Sequence, residues 1–219
     1  MLTYESIKND EAIRTYITRA DESLAALGFT EHSFAHVCHV AEMAGYILTT
    51  LGYDERTAEL ARIAGYLHDI GNLVNRSEHS QSGAVMAWTL LQNMGCDPAE
   101  LASIVTAIGN HDEGTGVPVN AVAAALILAD KADVRRSRVR NRDESTFDIH
   151  DRVNYSVKKS ELKINHDHTI VKLKLTVDTH YGSVMDYFEI FMGRMILCRK
   201  AADRLGLQFK LIINEQQLI

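Results

Sequence analysis

The chain has 219 residues, 46% of them apolar, with only two prolines and a formal net charge of −6. That length suits one large domain or a domain with a smaller appendage, and the composition supports a sizeable, regular core. The acidic balance argues against generic binding to nucleic acid or to an anionic membrane.

Cys38, Cys96 and Cys198 are scattered, odd in number and without metal-type spacing, so they read as reduced thiols of a cytoplasmic protein. The N-terminal residues lack an apolar signal region, and the longest apolar run, Ala121 to Ala129, is too short to span a bilayer. A soluble, intracellular protein with no membrane partner is expected.

Residues 1 to about 140 carry helical periodicity. A first helix is predicted over Glu11–Leu27, stopping at Gly28. A second starts near Ser33, places Val37, Val40, Ala41, Ala44, Ile47, Leu48 and Leu51 on one face, and ends at Gly52. The third opens with Asp54 as N-cap and ends at Gly71. A fourth covers about Ser82–Met94. Asp97, Pro98 and Glu100 open a fifth, which runs to about Asn110. After the Gly114–Pro118 loop, a sixth is predicted over Asn120–Arg136.

Beyond Arg142 the period changes to two. Leu162, Ile164, Val171, Leu173, Leu175 and Val177 alternate with Lys163, Lys172, Lys174 and Thr176, which predicts a hairpin turning near His166–His168. A strongly apolar helix (about Ser183–Leu205) and a last strand (Gln208–Ile213) follow. The fold class expected is mainly α: a helical domain over residues 1–142 with a small α+β (ββαβ) appendage over residues 143–219. Any apolar remainder exposed on the appendage helix would make a homodimer contact.

The dipeptide His68-Asp69 closes an alanine-rich, otherwise apolar helix. Neither group is comfortable in a dry interior without a partner, but together they supply nitrogen and oxygen ligands for one divalent metal. His36 lies one turn before Val40, in register with the buried stripe, so its ring points inward; His32 and His39 are rivals at helical spacing. Asp130 ends the apolar Ala121–Ala129 run, where a buried carboxylate requires a cation. His79 and His111 follow polar loops and, with Asp69 bridging, complete a second metal position. Two adjacent metals can clamp a phosphoryl group during in-line attack.

The ordered set Phe34-Ala-His36, Leu67-His68-Asp69-Ile70-Gly71 and Leu128-Ala129-Asp130-Lys131-Ala132-Asp133 resembles the HD-domain superfamily of metal-dependent phosphohydrolases, over roughly residues 30 to 142. His79-x-x-x-Gly83 and His111-Asp112-Glu113 look like the binuclear members, the HD-GYP cyclic-dinucleotide phosphodiesterases and the symmetric diadenosine tetraphosphate hydrolases. Gly116-Val117-Pro118 echoes the Gly-Tyr-Pro tripeptide. Asn72 stands where the HD-GYP proteins have lysine, and His111-Asp112 where they double the histidine, which points away from cyclic-dinucleotide activity.

The resemblance implies a helical HD bundle and two divalent ions (Mn, Fe, Ni, Co or Mg) held by His36, His68, Asp69, His79, His111 and Asp130. The expected reaction is hydrolysis of a phosphoester or phosphoanhydride of a small phosphorylated substrate, a nucleotide above all. Asp69 would act by bridging the metals, with Asp112 or Asp133 as proton acceptor. Arg135, Arg136, Arg138, Arg140 and Arg142 fall within eight residues with no lysine among them. Arginine suits bidentate phosphate binding, so Arg135, Arg136 and Arg138 are the expected substrate-phosphate ligands. Two rival functions use the same residues: a di-iron oxygenase of this superfamily, and a catalytically inactive nucleotide-binding regulator.

Overall fold

The computed structural model describes all 219 residues. Nine helices and four strands follow in the order α1 (Tyr4–Lys8), α2 (Glu11–Ala26), α3 (Phe34–Thr50), α4 (Glu55–Leu67), α5 (His79–Asn93), α6 (Pro98–Gly109), α7 (Ala121–Ala132), α8 (Ile149–Ser156), β1 (Val157–Ile164), β2 (Ile170–Val177), α9 (Val184–Arg204), β3 (Gln208–Ile213) and β4 (Gln216–Gln217). The fold is mainly helical with a small C-terminal sheet, the class the sequence predicts. No helix is long and apolar enough to cross a membrane.

Side-chain caps fix the helix starts. Ser33, Asp54, Asp97 and Asn120 each accept a hydrogen bond from a first-turn amide of α3, α4, α6 and α7. The helix ends depart from the sequence expectation. α4 stops at Leu67 and a short 3₁₀ turn over Ile70–Leu73 follows, so Gly71 is not the helix stop. A Cβ at Gly71 would lie 2.0 Å from the His79 carbonyl oxygen and 2.4 Å from the Gly83 nitrogen. Glycine is required there because the first turn of α5 packs directly on its backbone. α5 accordingly begins at His79, earlier than periodicity suggests. α7 ends at Ala132, where the Ser160 hydroxyl takes the Ala132 carbonyl at 2.6 Å.

α7 is the axial element: every residue from Val122 to Ala132 is buried, the pattern of a helix covered on all sides. α3, α4 and α6 surround it, and α9 covers its remaining flank. α3 and α4 approach closely at one point, where a Cβ on Gly65 would meet the Ala41 Cα at 2.7 Å. That contact carries the α3 backbone onto the last turn of α4.

The sheet order is β1-β2-β3-β4, antiparallel between β1 and β2, parallel between β2 and β3, and antiparallel between β3 and β4. The hairpin and its alternation are as predicted, with the turn entering the left-handed region at His168. A parallel pair needs a crossover, and α9 provides it. One apolar core of 52 buried residues runs from Tyr4 to Ile213 and joins the helices to the sheet. α1, α8 and β4 are short elements that periodicity does not announce. On α9, Met185, Met192 and Ile196 remain exposed.

Candidate metal centre

Four imidazoles and two carboxylates meet at the buried C-terminal end of α7. His36 comes from the first turns of α3, His68 caps α4, Asp69 begins the 3₁₀ turn, His79 opens α5, His111 follows α6 and Asp130 lies in the last turn of α7. All six side chains are buried. The His36 and His68 Nε2 atoms lie 3.3 Å apart, and those of His79 and His111 3.2 Å apart. Asp69 stands between the pairs: Oδ2 is 3.4 Å from His36 Nε2 and 3.2 Å from His68 Nε2, while Oδ1 is 3.5 Å from His79 Nε2. Asp130 Oδ1 is 3.4 Å from His36 Nε2 and 3.6 Å from His68 Nε2.

The outer nitrogens decide what these rings can do. The Nδ1 atoms of His68, His79 and His111 donate to the carbonyl oxygens of Gly65, Arg76 and Ile108, at 2.8, 3.1 and 2.7 Å. A carbonyl can only accept, so each Nδ1 carries a proton, and in the neutral ring that a metal binds each Nε2 presents a lone pair. His36 Nδ1 donates to the Asp133 carboxylate at 2.8 Å, with the same result. Four nitrogen lone pairs therefore face one another and two carboxylates in a buried space. Such an arrangement is repulsive unless cations sit among them, and ligands about 2.0–2.2 Å from one ion lie about 3 Å from each other. The donor set fits divalent metal on two grounds: the tautomers, and the near-contact spacing of the nitrogens. His36, His68 and Asp130 form one group with the spacing for an ion, and His68, Asp69 and His111 form another.

The electrostatics agree. Burial works against a charged ring at His68, yet Asp69 and Asp130 push it up to about 10. Burial raises Asp69, and His68 outweighs it to hold the carboxyl well below its usual range; at Asp130 the neighbouring Lys131 does the same. The centre draws positive charge. His79 and His111 are lowered instead, by burial first.

Asn72 Nδ2 donates to both the Asp69 carbonyl and Oδ1 at 2.9 Å, which fixes the carboxylate. Gly83 packs its backbone against the His68 carbonyl and the Gly71 nitrogen, a physical reason for the His79-x-x-x-Gly83 spacing. Of the rival histidines, His39 is half-exposed and 4.0 Å from Asp133. His32 lines the wall of the cavity, its ring 5.6 Å from that of His36.

Three sequence expectations need correction. Asp133 is not free to accept a substrate proton: it is buried, bound to His36, and taken bidentately by Arg135 at 2.6 and 3.0 Å. It is a carboxylate that orients a histidine. Asp112 is not among the residues lining the cavity, although its charge acts on His79, and its backbone carbonyl closes the turn to Gly116. Arg135 and Arg136 do not reach the cavity either. Arg136 donates to the Tyr155 carbonyl and to Asp178 and stacks on Tyr155 and Tyr181. Arg138 does line it, held by the Glu31 and Asp133 carbonyls. Gly116, Val117 and Pro118 lie outside its lining.

The cavity holds about 380 Å³ and opens from Asp69, His79, His111 and Asp130 toward α8 and α9. Its cations are Arg76, Lys131, Arg138 and Arg194, three of which the arginine run did not signal. Lys131 was legible only as the neighbour of Asp130, which its Nζ meets at 2.7 Å. Arg76 and Arg194 carry no local signal at all.

A family model described as "HD domain" matches residues 33–144, just over half of the chain. An uncharacterized protein of the archaeon Methanocaldococcus jannaschii is 25% identical over 186 residues, covering 74% of this chain and 71% of its own. A crystal structure of a predicted HD superfamily hydrolase from an uncultured Thermotogales bacterium is also 25% identical. It covers 62% of this chain and 75% of its own, with a TM-score of 0.44.

Proposed function

This chain belongs to the HD-domain family, and we propose on that premise that it is a metal-dependent phosphohydrolase acting on a small phosphorylated compound such as a nucleotide. The observation that carries the reading is the set of four imidazoles whose protonated Nδ1 atoms all point outward, leaving four Nε2 lone pairs converged on two carboxylates.

His36, His68 and Asp130 would hold one ion, His79 and His111 a second, and Asp69 would present one oxygen to each. When bound, the metals supply Lewis-acid activation of water and neutralisation of phosphoryl charge. The chain's own contribution is orientation and exclusion of bulk solvent. Asp133 and three carbonyls lock the rings, Asn72 locks Asp69, and burial of all six ligands keeps the local dielectric low. Lys131 and Arg138 place fixed positive charge at the cavity wall, where an anionic substrate enters.

The test is elemental analysis after reconstitution with Mn, Fe, Co, Ni or Mg, joined to a screen of phosphate esters and nucleotides in air and under nitrogen. The expected result is up to two metals per chain, oxygen-independent phosphate release, and loss of both in folded His68→Ala. His79→Ala and His111→Ala should lower the stoichiometry without emptying the other position. Unchanged metal content in His68→Ala, or turnover that requires oxygen, would reject the reading.

A further inference from the structure

The cavity's three arginines and one lysine differ in how many donors the protein itself has taken. Arg76 gives Nη1 to Asn72 Oδ1 at 3.3 Å and stands 4.0 Å from Asp69 Oδ1. Arg138 has committed Nε and Nη1 to backbone carbonyls. Lys131 is buried between Asp130 and Glu113, at 2.7 and 3.1 Å. Arg194 is anchored through Nε alone, which donates to Glu113 Oε1 at 2.7 Å. No protein acceptor takes its Nη1 or Nη2, and its guanidinium lies 4.2 Å from the Phe191 ring centroid, which fixes the plane of the fork. An arginine held at Nε and stacked on one face presents its two terminal nitrogens to whatever enters the cavity it lines.

Glu113 makes this possible from one carboxylate. Oε1 holds Arg194 and Oε2 holds Lys131, so a residue following α6 ties the end of α7 to the middle of α9. α9 lies wholly outside the 33–144 segment of the HD match. The C-terminal module thus brings a preorganised guanidinium to a centre built by the helical domain.

We propose that Arg194, positioned by Glu113, is the anion-binding residue that makes this site selective for phosphomonoesters over phosphodiesters. The inference rests on the phosphohydrolase reading for the ester preference, but not for anion binding. A terminal phosphoryl group has three unsubstituted oxygens and two negative charges, whereas a diester has two and one. The guanidinium fork takes two oxygens, and the His/Asp centre requires at least one more. Only the monoester supplies three. The cavity volume, about 380 Å³, lies toward the small end of ligand pockets and suits one compact substrate.

The probe is inorganic phosphate, titrated calorimetrically into the metal-loaded full-length protein. Arg194→Gln keeps a donor for Glu113 at the position of Nε and removes the two terminal nitrogens, and should bind phosphate at least about 10-fold more weakly. Arg194→Lys should fall between it and wild type, and Arg136→Gln should match wild type. In parallel, the ratio of kcat/KM for p-nitrophenyl phosphate to that for bis(p-nitrophenyl) phosphate should favour the monoester and collapse in Arg194→Gln, chiefly through KM. Phosphate binding unchanged in Arg194→Gln, with metal content and circular dichroism intact, overturns the anchor. A wild-type preference for the diester overturns the selectivity. Arginine-dependent phosphate binding with turnover of neither ester supports the anchor and rejects the hydrolase reading instead.

Discussion

Asp133→Asn is the substitution that separates holding a metal from orienting its ligand. Asp133 does not line the cavity at the centre, yet its Oδ2 accepts from His36 Nδ1 at 2.8 Å. An amide can still accept there, but the charge that strengthens the bond and raises the basicity of Nε2 is gone. Loss of such a carboxylate partner costs about 10–100-fold in metal affinity, or about 1.4–2.8 kcal/mol. A second cost is structural. The Arg138 side chain is 7% exposed and its nearest counter-charge, Asp133 Oδ2, is 3.8 Å away. A fully stranded buried ion would cost about 3–5 kcal/mol. Arg138 keeps its hydrogen bonds to the Glu31 and Asp133 carbonyls, which the substitution leaves in place, so about 1–3 kcal/mol is expected.

The assay is competition with a chelator for each bound equivalent of metal, with thermal unfolding in excess EDTA recorded on the same samples. One equivalent, the one held with His36, should weaken about 10–100-fold while the other stays within about threefold. Arg135→Gln, which removes an Asp133 partner without touching His36, should weaken the same equivalent by less than Asp133→Asn does, because Arg138 still faces the carboxylate. Equal weakening of both equivalents would show that Asp133 acts through general destabilisation. Affinity within about twofold of wild type for both would refute the orienting role outright.

Two further outcomes follow from the packing and the charges. Gly65→Ala replaces a poor helix former by the best one, a gain of about 1 kcal/mol in an exposed helix. Here the new Cβ would meet the Ala41 Cα at 2.7 Å, so net destabilisation of about 1–3 kcal/mol in urea unfolding is expected. A more stable variant would mean that the α3–α4 approach is looser than described. At Glu113, burial raises the carboxyl, but Lys131 and Arg194 overcome it and hold the group far below its usual 4.5. A depressed acid contributes stability that is complete above its unfolded value and is lost as pH falls toward its folded one. The difference in Tm between wild type and Glu113→Gln should therefore be constant above about pH 5 and shrink steadily below pH 4.5. A difference that stays flat down to pH 3 would show that the carboxylate is not held by those two cations.

Much of the helical domain was legible because its signals are local. A cap such as Ser33 or Asp54 accepts an amide two or three residues away, so spacing alone reveals it. His36, His68, Asp69 and Asp130 were legible because polar groups on apolar helices are conspicuous, whereas His79 and His111 stood out only as histidines after polar loops. The ends of α4 and α7 were not, since tertiary contacts decide them: Gly71 answers to α5, and the Ala132 carbonyl to Ser160. The arginines were least legible. An arginine's role depends on which acceptors take its donors, and those lie far off in sequence, 42 residues for Arg136 and Asp178, 81 for Arg194 and Glu113. The run of arginines after Asp130 therefore announced Arg138 but not Arg76 or Arg194, which line the same cavity.

The way the four rings are oriented explains why Asp133 is needed at all. The last carbonyls of a helix have no intrahelical partner. Gly65 and Ile108 are such groups, near the ends of α4 and α6, and each is satisfied by the imidazole three residues later. His79 uses the Arg76 carbonyl, again three residues back, in the loop that enters α5. In these three cases one hydrogen bond both completes the local backbone and sets the tautomer. His36 has no such option, because it lies in the first turns of α3, where the carbonyls are already engaged by the helix. A side chain from elsewhere must fix it, and Asp133, just past the end of the axial helix, is the group in reach. That carboxylate would be untenable in the core alone, and Arg135 and Arg138 are its compensation. Two residues of the arginine run thus serve the centre by holding the carboxylate that holds His36, which is why the metal position containing His36 should be the one most sensitive to substitution outside its own ligands.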